Sequence, residues 1–164
     1  LESGQSVAKD RVVDVAAMIS AARKEALALP GHPDTIEIEL QSQANLLGEE
    51  TELQSVVSNL VANAVRYTPP EGEIVIRWTV DADGGHLAVR DTGIGISEED
   101  IPRVTERFYR ADGGRSRQRG GTGLRLAIVK YALRRHDAEL EIQSRLGQGS
   151  TFVCHFPRDR LALS

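Results

Sequence analysis

Asn59-Leu60-Val61-Ala62-Asn63-Ala64-Val65-Arg66-Tyr67-Thr68 is the stretch on which the reading of this chain turns. It closes a segment, residues 50–65, in which Leu53, Val56, Val57, Leu60 and Ala64 recur at three- and four-residue spacing. That spacing predicts an amphipathic helix, and Pro69-Pro70 end it. Asn59 and Asn63 are four apart and Arg66 is three further on, so all three share the face beside the apolar stripe. Asparagine is a mediocre helix former, so two on one face followed by a cation suggest oxygen ligands for a hard metal plus a phosphate contact. The alternative is an ordinary solvated face.

Working outward, residues 73–80 and 86–91 alternate apolar and polar side chains, with Ile74, Ile76, Trp78, Val80, Leu87 and Val89 inward, and the turn-rich 81–85 joins them as an antiparallel hairpin. The alternation puts Asp91 on the buried side with Leu87 and Val89, where a carboxylate needs a partner. Thr92-Gly93-Ile94-Gly95 follow, and glycine lets backbone come close to whatever Asp91 holds. A planar ligand with an N–H donor, such as adenine, satisfies that carboxylate; a capping Asp in a tight turn is the competing reading.

Upstream, Val15, Met18, Ile19, Ala22, Ala26 and Leu29 give a helix over residues 14–29 that stops at Pro30-Gly31, and residues 35–40 alternate as a strand. Downstream, Ser97-Glu98-Glu99 cap a short helix through Val104. Residues 110–123 then lose periodicity and collect Arg110, Arg115, Arg117 and Arg119 with several glycines, which reads as a mobile basic loop. Gly120-Gly121-Thr122-Gly123-Leu124 runs from it into a helix reaching about Arg135, and free N–H groups at such a helix start favour phosphate. A solvated basic loop looks similar. Strands at 139–144 and 151–156 flank Gly147-Gln148-Gly149, and residues beyond Pro157 read as a frayed tail. The order is that of an α+β two-layer sandwich with a mostly antiparallel sheet of about five strands and helices on one face.

Composition agrees with one globular domain: 164 residues, 40% hydrophobic, 27% charged. A net charge of −4 without a long basic run disfavours nucleic acid as a partner. The single cysteine, Cys154, permits no internal disulfide and suits a reducing cytosol. No stretch approaches the roughly 20 consecutive apolar residues of a membrane span, so direct membrane contact is not expected and any anchor lies outside the fragment.

In their order and spacing these segments resemble the catalytic domain of bacterial sensor histidine kinases, in the ATPase superfamily shared with gyrase, the Hsp90 chaperone and the MutL repair protein, with the Bergerat-type ATP-binding fold. Residues 59–68 look like the N box, Asp91-Thr92-Gly93-Ile94-Gly95-Ile96 like the G1 box, Glu106-Arg107-Phe108-Tyr109-Arg110 like the F box, and Gly121-Thr122-Gly123-Leu124 like the G2 box. Gly147-Gln148-Gly149-Ser150-Thr151-Phe152 matches the closing glycine motif. Residues 107–136 look most like the phosphate-regulon sensor kinases. The resemblance implies a tail of the preceding dimerisation hairpin at 1–9, the ATP-binding domain at 10–157 with an ATP lid at 108–123, and a C-terminal tail at 158–164.

By that resemblance Asn63 coordinates Mg²⁺, Arg66 and Arg110 reach phosphate, and Tyr67 packs near the nucleotide. Asn59 is the catalytic candidate beside the metal and γ-phosphate; hydrolytic relatives carry a glutamate on this helix, and an asparagine is a poor base. Asp91 takes the adenine amino group, with Gly93, Gly95 and Ile96 shaping the pocket and Thr151 supporting it through water. Gly121, Thr122, Gly123 and Leu124 belong to the phosphate loop. The implied partners are the chain's own phosphoacceptor hairpin, in a homodimer, and a response regulator; the implied location is a cytoplasmic domain of an inner-membrane protein.

Two departures stand out. Arg125 replaces a glycine in the Gly-Leu-Gly-Leu run, so its side chain clasps phosphate or crowds it, which leaves a degenerate nucleotide sensor or docking module as the alternative function. A stand-alone ATPase or a serine kinase of the same fold, as in anti-sigma factors, is a third reading. None of His32, His86, His136 and His155 lies in a His-Glu-Leu-Arg-Thr-Pro type of acceptor motif, so each is read as structural.

Overall fold

A computed structural model describes residues 11–97, 99–101 and 124–162. Its elements run β1 (Val12–Val13), α1 (Val15–Leu27), β2 (Thr35–Leu40), β3 (Asn45–Leu47), α2 (Glu50–Tyr67), β4 (Glu73–Asp81), β5 (Gly84–Asp91), α3 (Leu124–Arg135), β6 (Glu139–Arg145), β7 (Gly149–Pro157) and β8 (Leu161–Ala162). The five-stranded sheet has the order β2-β4-β5-β7-β6. It is mixed: β2 and β4 run parallel, the remaining neighbours antiparallel. The three helices cover one face, as the alternation of the strands demands. Ile74, Ile76, Trp78, Leu87, Val89, Phe152, Cys154 and Phe156 meet Val56, Val57, Leu60, Val61 and Ala64 of α2 in one core. Burial pushes the Cys154 thiol up to about 12, so it is inert packing.

The first two helices begin on side-chain caps. Asp14 accepts from the Ala17 N–H at 3.0 Å and Glu49 from the Glu52 N–H at 3.0 Å, satisfying donors that the first turn leaves open. α2 extends two residues past the expected end, to Tyr67, and Thr68 turns extended before Pro69. The hairpin is tighter than the sequence suggests. Pairing continues to Asp81 and Gly84 around Ala82-Asp83, because Asp81 Oδ1 accepts the Asp83 N–H at 2.8 Å and closes the turn.

The frayed tail is the clearest correction. Residues after Pro157 form a single 3₁₀ turn, and β8 pairs antiparallel with β3, which pairs in turn with β1. Leu161 is buried, and Arg160, 1% exposed, donates to Asp137 Oδ2 at 3.1 Å and to the Leu47 carbonyl at 3.2 Å. Strands of two or three residues carry no readable period, and Arg-Asp-Arg reads as solvated charge until its partner carboxylate is brought near.

His136 locks α3 to α2. Its Nε2 accepts the Glu49 N–H at 3.1 Å and its Nδ1–H donates to the Ala132 carbonyl at 2.8 Å, in a fully buried position. Those roles require the neutral ring, and burial holds its pKa below the usual histidine value of 6.5. Because the folded state resists the proton that the unfolded chain accepts, this contribution is complete above about pH 6.5 and is lost as pH falls below it. Thermal denaturation should show Tm dropping by a few degrees between about pH 7.5 and about pH 5.5, and His136→Gln should flatten that slope. An unchanged slope in the variant would remove His136 as its source.

Candidate functional site

The site is built where the C-terminal end of α2 meets the loop after β5. Alternation along β5 sets Leu87, Val89 and Asp91 on the helix side, and Asp91 is 6% exposed. Its Oδ1 accepts the Gly93 N–H at 2.9 Å and the Ser150 N–H at 3.2 Å. Oδ2 makes no hydrogen bond among the described residues, which leaves it for a ligand. Burial raises the Asp91 pKa and the two N–H donors pull it back, so the carboxylate is held in place against its own desolvation.

The loop is clamped on both sides. Ile94 N–H donates to the Tyr67 carbonyl at 3.2 Å, and a Cβ on Gly93 would lie 2.1 Å from that same oxygen. Gly95 has φ +77°, and a Cβ there would lie 2.0 Å from the Arg145 carbonyl oxygen. Gly147 N–H donates to the Ile94 carbonyl at 2.7 Å and Ile96 N–H to Ser144 Oγ at 2.6 Å. Gly93 and Gly95 are therefore required by close backbone approach. The Ile96 side chain packs against the core.

On α2, Asn63 and Arg66 share the half-buried face expected of them. The Asn63 amide makes no hydrogen bond among the described residues. Asn59 differs, since its Nδ2 donates to the Ser55 carbonyl at 2.8 Å and to Ser55 Oγ at 3.0 Å, which fixes the amide. Arg66, Tyr67 and Ile94 line one cleft of about 720 Å³ together with Thr68, Ala62 and Arg125. Thr68 is 3% exposed and its hydroxyl has no hydrogen-bond partner among the described residues, a buried polar atom at the wall of a cavity.

Thr151 is not brought to this site. β7 pairs Thr151 with Arg90 and Ser150 with Asp91, so Thr151 lies on the solvent face of the sheet and its neighbour Ser150, 6% exposed, stands at the carboxylate. Counting back by two from Phe152, whose side chain is in the core, finds Ser150; this was the signal in the sequence. Arg110, Gly121, Thr122 and Gly123 lie outside the described residues, as do the 108–123 lid, residues 1–9 and the Leu124 side chain; Leu124 itself opens α3. The beginning of the short helix is visible in the Asp100 N–H to Ser97 carbonyl bond at 3.0 Å.

Among the described residues no group of three His, Cys, Asp or Glu side chains could hold a metal ion. The histidines have structural contacts: His32 to the Pro33 carbonyl, and His86 and His155 to one another, to Asp81 and to Glu141 on the sheet's outer face. No helix of the described residues is long and apolar enough to cross a membrane.

Comparison with known proteins fits this geometry. The family described as histidine kinase-, DNA gyrase B-, and HSP90-like ATPase matches residues 48–160. The chain is 50% identical over 163 residues to the phosphate regulon sensor protein PhoR of Pseudomonas aeruginosa, covering 99% of this chain and 37% of that protein. It is 40% identical over 147 residues to the sensor-like histidine kinase SenX3 of Mycobacterium tuberculosis, covering 88% and 36%. It thus spans little more than a third of the length of these curated relatives. Among solved structures, the mycobacterial sensor histidine kinase MprB superposes with TM-score 0.80 at 26% identity, over 90% of this chain and 97% of that one. Full-length ShkA in complex with AMPPNP superposes with TM-score 0.78 at 24% identity, over 94% of this chain and 31% of that one. The chain belongs to the family of histidine kinase-, DNA gyrase B- and Hsp90-like ATPases, and within it to the catalytic ATP-binding domains of sensor histidine kinases.

Proposed function

We propose that this domain binds ATP with Mg²⁺ and presents the γ-phosphate to a histidine on the dimerisation hairpin of its parent protein, a homodimer at the inner membrane that then serves a response regulator. The observation that supports this most is Asp91: a buried carboxylate with one oxygen spent on the Gly93 and Ser150 N–H groups and the other without a hydrogen bond among the described residues. Asp91 takes the adenine amino N–H there, and Ser150, in place of Thr151, supports it. Gly93, Gly95 and Ile96 shape the floor, Tyr67 flanks the nucleotide, and Arg66 takes phosphate, joined by Arg110 and the 121–124 loop. Asn63 offers the oxygen for Mg²⁺, whose charge neutralises the phosphates. Asn59, with its amide tied to Ser55, offers its oxygen at the transferring end and abstracts no proton. Catalysis by such residues is positioning and charge neutralisation.

The test is phosphotransfer in trans. The chain, mixed with the hairpin of the Pseudomonas aeruginosa relative and labelled ATP, should label the hairpin's histidine, and Asn63→Ala should lower the rate by about a hundredfold or more. Labelling undiminished by Asn63→Ala would refute the metal role. Rapid phosphate release without any labelling would instead favour a stand-alone ATPase.

A further inference from the structure

Four side chains on the outer face of the sheet form a row of contacts that the nucleotide site does not use. The β5–β7 register sets His86 directly opposite His155, and their Nδ1 atoms lie 2.7 Å apart with the rings edge to face at 74°. At the two ends of the row His86 Nε2 meets Asp81 Oδ1 at 2.8 Å and His155 Nε2 meets Glu141 Oε1 at 2.7 Å. Both carboxylates are held below their usual range, Asp81 chiefly by the bond from His86, Glu141 by the bonds from Gln143 and then from His155. They are acceptors only.

Counting protons shows what the row lacks. With both carboxylates ionised, each Nε2 must carry a hydrogen to donate outward, and a neutral imidazole has only one. Each Nδ1 is then a bare lone pair, and the two confront one another at 2.7 Å. A cation between them resolves the conflict. A third proton does so by turning one ring into an imidazolium; a metal ion does so with both rings neutral. The flanking carboxylates match the surroundings of metal-bound histidines, whose far ring nitrogen donates to a carboxylate that fixes the tautomer and raises the basicity of the ligating nitrogen.

We propose that His86 and His155 bind one divalent late transition-metal ion through their Nδ1 atoms, with Asp81 and Glu141 orienting the rings and water filling the remaining positions. The separation selects the ion. Two nitrogens bound at a right angle, each roughly 2.0–2.1 Å from an ion, stand about 2.9 Å apart, whereas tetrahedral binding needs about 3.4 Å. The observed 2.7 Å is nearer the first, which suits the tetragonal preference of Cu²⁺ and Ni²⁺ better than Zn²⁺. Both ligands sit on strands of fixed register, so the pair is preorganised, and side-chain exposures of 18% and 38% admit the ion and its water. Such a site clamps β5 to β7 five residues along the ladder from Asp91 and Ser150, and it is independent of nucleotide.

Titration of the whole chain with Cu²⁺, Ni²⁺ and Mg²⁺ chlorides, free of nucleotide, tests it. One equivalent of Cu²⁺ should bind, more tightly than Ni²⁺, and Mg²⁺ should not bind there. Electron paramagnetic resonance of the Cu²⁺ form should show coupling to two imidazole nitrogens. His86→Gln and His155→Gln should each weaken Cu²⁺ by about a hundredfold or more and remove that two-nitrogen signature, while Asp81→Asn and Glu141→Gln should each cost about tenfold to a hundredfold. Excess Ni²⁺ should raise Tm by a few degrees in the wild type and not in the double histidine variant. Cys154, fully buried, does not compete for the ion. Unchanged affinity in either histidine variant, or a Cu²⁺ spectrum without nitrogen coupling, would overturn the proposal. So would a wild-type chain that binds no metal at millimolar concentration, which would leave the row closed by a shared proton alone.

Discussion

Asp91→Asn should remove nucleotide binding while leaving the free protein as stable as its parent. The substituted amide still offers Oδ1 to the Gly93 and Ser150 N–H groups that hold the native side chain at 2.9 and 3.2 Å, so the loop keeps its anchor. What changes is the atom that has no hydrogen bond among the described residues: an NH₂ replaces Oδ2, and a donor then confronts the adenine amino donor. Losing a charge-assisted bond and gaining an unsatisfied pair amounts to roughly a hundredfold or more in affinity. Stability moves the other way or not at all, because burial works against the carboxylate at 6% exposure and the neutral amide carries no such penalty. Calorimetric titration with ATP and thermal denaturation without it read the two effects separately. Wild-type affinity in the variant would show that Asp91 is a turn cap and nothing more, the competing reading that the sequence leaves open.

Much of the fold was legible because its elements are long and periodic. α2 repeats its apolar residues over 18 positions, and the hairpin alternates over 9 and 8, so helix and strand periods cannot be confused there. Asp91 could be placed on the buried side by the same alternation, before any partner was visible. The three-stranded sheet could not be read. Its strands have two or three residues each and come from three distant parts of the chain, so nothing local records them. The parallel pairing of β2 with β4 was hidden for a related reason: α2 is the crossover between them, and the sequence shows the helix but not the register. Thr151 went astray by one position. In a strand a shift of one residue moves a side chain to the opposite face, and a hydroxyl next to a hydroxyl, Ser150 beside Thr151, gives composition no means of choosing. Arg125 was visible as a departure, but which wall it lines depends on where α3 crosses α2.

Gly93→Ala should damage stability and binding together, and the contrast with Asp91→Asn separates architecture from recognition. A methyl on Gly93 would lie 2.1 Å from the Tyr67 carbonyl oxygen, 2.8 Å from its carbon and 3.1 Å from Asp91 Oδ1. The first two are backbone atoms at the end of α2, a helix whose buried side is packed against the sheet, so they cannot swing aside. The loop must move instead, by an ångström or more. That movement breaks the Ile94 N–H to Tyr67 carbonyl bond at 3.2 Å and draws the Gly93 N–H away from Asp91. Overpacking of this kind costs about 1–3 kcal/mol and the lost hydrogen bond about 1 kcal/mol more. At this chain length that lowers Tm by roughly 5–15 °C. With Asp91 displaced, ATP binding should fall below detection at millimolar nucleotide even at temperatures where the variant is fully folded. A variant with unaltered Tm and affinity would mean that the helix end and the loop are not in contact in solution, and the seam on which Asp91 depends would have to be drawn elsewhere.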